Sequence, residues 1–282
     1  MGCKPLGDLP GRAVLPNRTS VQWPNNYRLA VLLTFDCYGS EAVHVSKLMG
    51  TAFDYGPRKG LWHILESLDK LGVKATFNVP GVTAEAYPKT ISAIAQAGHE
   101  VAGLGYRYDP PWRLSEAEER QNIQKTMSVL EAVVGHRPLR WRTPQSRPSF
   151  HTLPLLSELG FVWDSSLRND EIPYIMEVDG GSLVEIPFGG ACDDMNYWGG
   201  PFPTFFAARV LSVWEDELEV LYEESHKQCS MLILCLHPFF VGAPVELSVL
   251  EQLVTRIKQL DGTWFARCGE VAAWWAQNRN WV

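Results

Sequence analysis

Residues 29–36, Leu-Ala-Val-Leu-Leu-Thr-Phe-Asp, form a nearly unbroken apolar run that ends on a carboxylate. A run without polar alternation has no solvent face. It therefore reads as a strand buried on both sides, as at the centre of a parallel sheet. Folds built on such sheets place their chemistry at the carboxyl ends of the strands. Burying Asp36 there is costly unless it has a partner or a task, so it is the first candidate functional residue.

Composition narrows the classes. At 282 residues the chain can fill one large α/β domain or two small ones, and its 46% hydrophobic content suits a full core. A net charge of −7 with no basic block argues against nucleic acid and anionic membranes as partners. No apolar stretch approaches the roughly 18 residues needed to span a bilayer. Cys3, Cys37, Cys192, Cys229, Cys235 and Cys268 are scattered, with no C-x-x-C pair, which suits a reducing, cytoplasmic setting. Met1-Gly2-Cys3 invites a lipid anchor, but no apolar leader precedes Cys3 and position 6 is Leu.

Residues 1–27 are rich in Pro, Gly and Asn and lack periodicity. They read as an extended arm that wraps the domain or reaches a neighbour in a homo-oligomer. From residue 28 to 282, strand and helix patterns alternate. Strands are expected near 29–36, 73–79, 99–104, 139–143, 161–165, 182–187, 231–237 and 263–267. Helices are expected near 58–71, 83–97, 114–134, 149–159, 204–226, 245–260 and 269–278. Ser115 ahead of three glutamates marks a helix start, and Gly72, Gly98, Gly135 and Gly160 fall where helices end. No repeat or linker divides the chain, so a single α/β barrel is expected.

Several ordered segments carry a family resemblance: Tyr55-Gly-Pro-Arg58, Gly98-His-Glu-Val101, Arg140-Trp-Arg-Thr-Pro144, Trp163-Asp-Ser-Ser-Leu167, Ile172-Pro-Tyr174, Glu185-Ile-Pro187, Asp193-Asp194 and Leu236-His-Pro238. With these, residues 23 to 275 resemble the polysaccharide deacetylase family. They most resemble its branch of allantoinase-type amidohydrolases and peptidoglycan-deacetylase-like proteins. The resemblance implies a single distorted (β/α) barrel. It implies that Asp36 is the catalytic base, that Arg142 orients it and holds it ionised, and that His237 is the general acid toward a leaving nitrogen. Amide hydrolysis requires such parts: a base for water, a proton for the amine and a stabiliser for the oxyanion. Arg58 and Asp194, on two of the matching segments, join the expected substrate-binding residues.

The departures point further. The family's metal ligands, an Asp two residues after the base and an H-x-x-x-H pair, correspond here to Tyr38, Leu104 and Tyr108. Leucine cannot ligate, and a phenol with a pKa of about 10 is a poor ligand for a zinc-like ion. No metal and no other cofactor are therefore expected. Tyr38 shares a strand face with Asp36, whereas Cys37 points the other way and is not expected to be a catalytic thiol. Tyr38, Leu104, Tyr106 and Tyr108, with Trp112 and Trp141, would make an apolar floor suited to a small hydrophobic or aromatic molecule rather than a sugar polymer.

Plainer readings stand beside these. Arg142 could pair with Asp164 or Asp170 as scaffold, and His237 could be a hydrogen-bonded strand end. Asp193-Asp194 could be a solvated loop, and the acids of 204–226 a solvated face. His44, His63, His99, His136, His151 and His226 share no spacing and read as structural or surface residues. Three functions compete. One is a metal-independent hydrolase of a C–N bond in a cyclic amide, ureide or amide. The others are an isomerase, lyase or cyclase using the same acid and base, and a catalytically lapsed small-molecule binder.

Overall fold

The computed structural model describes residues 11–18, 21–44, 47–198 and 207–278. Met1-Gly2-Cys3 and the first residues of the helix expected at 204–226 lie outside the described residues. Ten strands join in one sheet: β1 (Gly11–Val14), β2 (Leu29–Asp36), β3 (Thr76–Val79), β4 (Glu100–Gly103), β5 (Arg140–Trp141), β6 (Trp163–Asp164), β7 (Tyr174–Val178), β8 (Gly181–Glu185), β9 (Ser230–Leu236) and β10 (Thr263–Phe265). The architecture is the expected α/β barrel type. No helix among the described residues is long and apolar enough to cross a membrane.

β2 is central, as its composition requires. β9 runs parallel along one side of it, and β10 and then β3 line the other. Leu29, Val31, Leu33 and Phe35 pack outward against helices with Leu232, Leu234 and Leu236 of β9. Ala30 and Leu32 face inward with Met231, Ile233 and Cys235. Fully burying each large apolar side chain contributes about 1.5–3 kcal/mol, so both faces resist any slip in register. The sheet continues β3-β4-β5-β6-β8, all parallel, and ends in the antiparallel β8-β7-β1 edge. β8 and β9 do not pair directly. The chain after β8 crosses that seam through one bridge, Asp193 to Cys235, with Cys235 N–H donating to Cys192 O (2.9 Å) and Asp194 N–H to Cys235 O (3.1 Å).

Two strands were not expected. β1 lies inside the segment read as an irregular arm, and Trp23, also in that segment, is 2% exposed with its indole N–H on Ser230 O (2.9 Å). β7 joins β8 through the two-residue Asp179-Gly180 turn, with Gly180 at φ 88°. Asp-Gly between strands is a direct hairpin signal. The helix expected at 83–97 is two, Gly81–Ala86 and Pro88–Gln96, because the residue before a proline avoids the helical region. The helix expected at 58–71 starts at Lys47 and passes through a π turn, Gly56–Gly60. A Cβ on Gly60 would lie 2.1 Å from Pro238 O, so this turn lets the backbone after β9 pack closely and fixes the strand end that carries His237.

Candidate active site

Two ion pairs meet at the carboxyl ends of β2 and β9. The last register pair between these strands is Phe35 with Leu236, so Asp36 and His237 stand side by side one residue further on. Asp36 is 4% exposed and His237 3%. Arg142, just past β5, donates from Nη1 to Asp36 Oδ1 (3.1 Å). Its remaining donors reach Thr34 Oγ1 (3.2 Å), Ser165 O (3.1 Å) and Ser165 Oγ (3.0 Å), and its guanidinium lies 4.3 Å from the Phe188 ring centroid. Arg142 is thus committed to the protein, and one of its hydrogen bonds holds Asp36. Neither Asp164 nor Asp170 takes a hydrogen bond from it.

Asp36 has a second donor, Asn78, whose Nδ2–H reaches the same Oδ1 at 2.8 Å from the adjacent rung of β3. The other oxygen, Oδ2, accepts no hydrogen bond from the described residues and is the one placed to receive a proton. Asn78 was not singled out in the sequence. Its signal was a lone amide in the apolar strand Thr76-Phe-Asn-Val79.

His237 is held by Asp194, which the seam bridge delivers to it. Asp194 Oδ2 accepts the His237 backbone N–H at 2.7 Å, and Oδ1 meets Nδ1 at 2.6 Å. Nδ1 therefore carries a proton for Asp194, and Nε2 is left for other work. Burial works against charging this ring, but the carboxylate of Asp194 outweighs it and raises the His237 pKa. Asp194, expected to bind substrate, is fully buried and serves the histidine instead.

The expected apolar floor forms in part. Tyr38 and Tyr108 stack with centroids 4.2 Å apart, and Tyr38, Leu104, Ala42 and Phe239 pack in one cluster. Tyr38 also lies edge-on to His237 at 5.7 Å and 5.1 Å from Phe239. Phe239, which the sequence reading passed over, completes this cluster. Trp141 does not join it. Neighbours on a strand face opposite ways, and Trp141 packs outward against Gly103 and Phe161 while Arg142 points inward. Tyr106 bonds Glu85 (2.9 Å) under Lys125, away from the floor. Trp112 and Arg58 are exposed. Cys37 packs in the outer core, where burial and then the charge of Asp36 raise its thiol pKa well above the usual range.

The family metal can be tested against these residues. Leu104 has no donor atom. Burial, then neighbouring charges, push the phenols of Tyr38 and Tyr108 well above their usual range, so neither offers a phenolate. The three positions do not fit the ion. Among the described residues Asp193, Asp194 and His237 also cluster, but Asp193 already accepts from Arg168 (3.1 Å) and the Met195 N–H (3.1 Å), and Asp194 is taken by His237.

Residues 41–163 match the family model described as polysaccharide deacetylase. A Schizosaccharomyces pombe protein carrying the polysaccharide deacetylase name is 26% identical over 95% of this chain and 96% of its own length. Among solved structures, one from Mycobacterium smegmatis with the same designation superimposes with a TM-score of 0.85 at 30% identity, covering 95% of this chain and 96% of that one. The structure of Puue allantoinase has the same fold, with a TM-score of 0.85 at 23% identity over 94% of this chain and 95% of that one.

Proposed function

The chain belongs to the polysaccharide deacetylase family, and from that premise we propose that it hydrolyses a C–N bond in a small, apolar or aromatic cyclic amide, ureide or amide without a metal. One observation carries this reading. Both proton-transfer groups keep their positioning partners, Asp36 with Arg142 and His237 with Asp194, while the metal positions have become a packed aromatic cluster. Asp36 Oδ2 takes a proton from water as it attacks the carbonyl carbon. His237 Nε2 then delivers a proton to the departing nitrogen. The neutral phenols of Tyr38 and Tyr108 stand beside Asp36 and His237 and can donate to the oxyanion, a task that otherwise falls to a metal.

The apolar cluster supports the substrate class. It favours a flat apolar group, whereas a sugar seated against it would leave hydroxyls unpaired at about 1–3 kcal/mol each. The test is a hydrolysis panel run with excess EDTA, setting aryl-substituted cyclic ureides and amides against N-acetylated sugar oligomers. Turnover of the former is expected. Turnover of the oligomers alone would overturn the substrate class. Isomerisation or elimination without hydrolysis would transfer the acid–base pair to the second reading, which the loss of the metal ligands also favours.

A further inference from the structure

Behind Arg142 lie two carboxyl groups that the proposed chemistry does not use. Asp164 and Glu185 occupy one rung of the parallel pair β6 and β8, and both are fully buried. Three of their four oxygens have hydrogen-bond donors. Ser166 Oγ reaches Asp164 Oδ1 at 2.7 Å, and Ser166 N–H reaches Asp164 Oδ2 at 3.1 Å. The same N–H (3.2 Å) and that of Leu167 (2.9 Å) reach Glu185 Oε1. Glu185 Oε2 is buried with no donor. Two neighbouring ionised carboxylates with one oxygen bare would be very costly here, and a single proton on Oε2 removes both faults.

We infer that Asp164 and Glu185 hold one proton between them at neutral pH and form a pH-sensitive brace behind Arg142. The brace reaches the site through two links. Ser166 Oγ, which donates to Asp164, accepts the Thr143 N–H at 2.8 Å, immediately after Arg142. Ser165, between Asp164 and Ser166, takes two of the Arg142 donors. The groups facing the pair are Arg142 from the strand end beyond β5, which favours an ionised Asp164, and Tyr174 from β7, which stays neutral beside the acids. Burial raises both carboxyls, Asp164 to about 6, and the nearby Asp164 charge helps hold Glu185 well above the carboxylate range. The inference does not depend on the hydrolytic reading.

The folded pair keeps a proton that the unfolded chain releases. Its stabilisation is therefore present at low pH and lost as pH rises through the folded pKa. One retained proton makes the folding constant fall about tenfold per pH unit. Urea unfolding of the full chain between about pH 6.5 and 8.5 tests this. Glu185→Gln should flatten the pH dependence by one such tenfold step per unit, and Asp164→Asn should do likewise, because each replaces the shared proton by a permanent donor. Equal slopes in wild type and both variants would overturn the inference. Should the variants not fold, infrared spectroscopy of the wild type decides. A carbonyl stretch of a protonated carboxylic acid persisting at about pH 8 is expected, and its absence there overturns the brace.

Discussion

Asp194 grips His237 at two points, the backbone N–H through Oδ2 (2.7 Å) and the ring Nδ1 through Oδ1 (2.6 Å). One carboxylate thus fixes both the strand end and the tautomer of the ring it carries. It can do so because, among the described residues, the chain after β8 bridges to β9 at Cys235, two residues before the histidine.

Removing the charge of Asp194 should move the alkaline limb of activity. Burial alone lowers the His237 pKa, and Asp194 reverses this, so the ring stays protonated to a higher pH than a free imidazole at 6.5. The stability this pair contributes is complete below that value and is lost as pH rises through the folded pKa. In Asp194→Asn the pH–rate profile should lose its alkaline limb at a lower pH, with turnover at neutral pH down about a hundredfold. An unmoved limb would show that His237 is not the acid.

Asn78→Leu separates positioning from packing. The variant removes one donor to Asp36 but also removes Asn78 Oδ1, which is buried without a partner. These effects offset, so stability measured by urea unfolding should change by less than about 1 kcal/mol. Turnover should still fall about tenfold, because Asp36 is then held by Arg142 alone. Loss of stability without loss of rate would make Asn78 a packing residue.

The legible parts of this protein are those set by local pattern. The run 29–36 gave the central strand and the position of Asp36, and Ser115 ahead of its glutamates does mark a helix start, where the structure adds a capping box with Glu118. Long-range placement was less legible. Asp194 lay in a loop of unremarkable composition, and only the crossing of the β8–β9 seam brings it to His237. Trp141 was expected in the floor as one of several nearby aromatics, although strand alternation sends it and the inward-facing Arg142 to opposite faces. Asn78 was hidden because a single polar residue in a strand does not reveal its partner across the sheet.

The five described cysteines should be inert in the native protein. Cys37, Cys192, Cys229, Cys235 and Cys268 are all buried, and burial raises each thiol, Cys229 and Cys268 to about 12. The thiolate is the reactive form, so a thiol-specific chromogenic reagent should label these five only after denaturant is added. Rapid labelling of Cys235, whose Sγ lies 3.4 Å from Arg142 Nη1, would instead reveal an open path into the barrel.

Restoring the family's ligands should recover a metal and lose the aromatic pocket. The unmodified protein should contain no stoichiometric zinc, cobalt or iron by elemental analysis, and chelator should leave its activity intact, because Leu104 cannot ligate and both phenols stay protonated. The triple variant Tyr38→Asp, Leu104→His, Tyr108→His creates the donor set that a zinc-like ion requires. It also breaks the 4.2 Å stack and the cluster with Phe239, so the variant without metal should lose about 2–4 kcal/mol of stability. Added zinc should restore part of that loss, since a ligand that binds only the folded state stabilises it. Binding of aromatic ureides should weaken by at least tenfold as the stacked surface disappears. Stoichiometric zinc held by the wild-type protein at this position would refute the metal-free reading. Unchanged ureide binding in the triple variant would show that the substrate does not rest on the Tyr38–Tyr108 face.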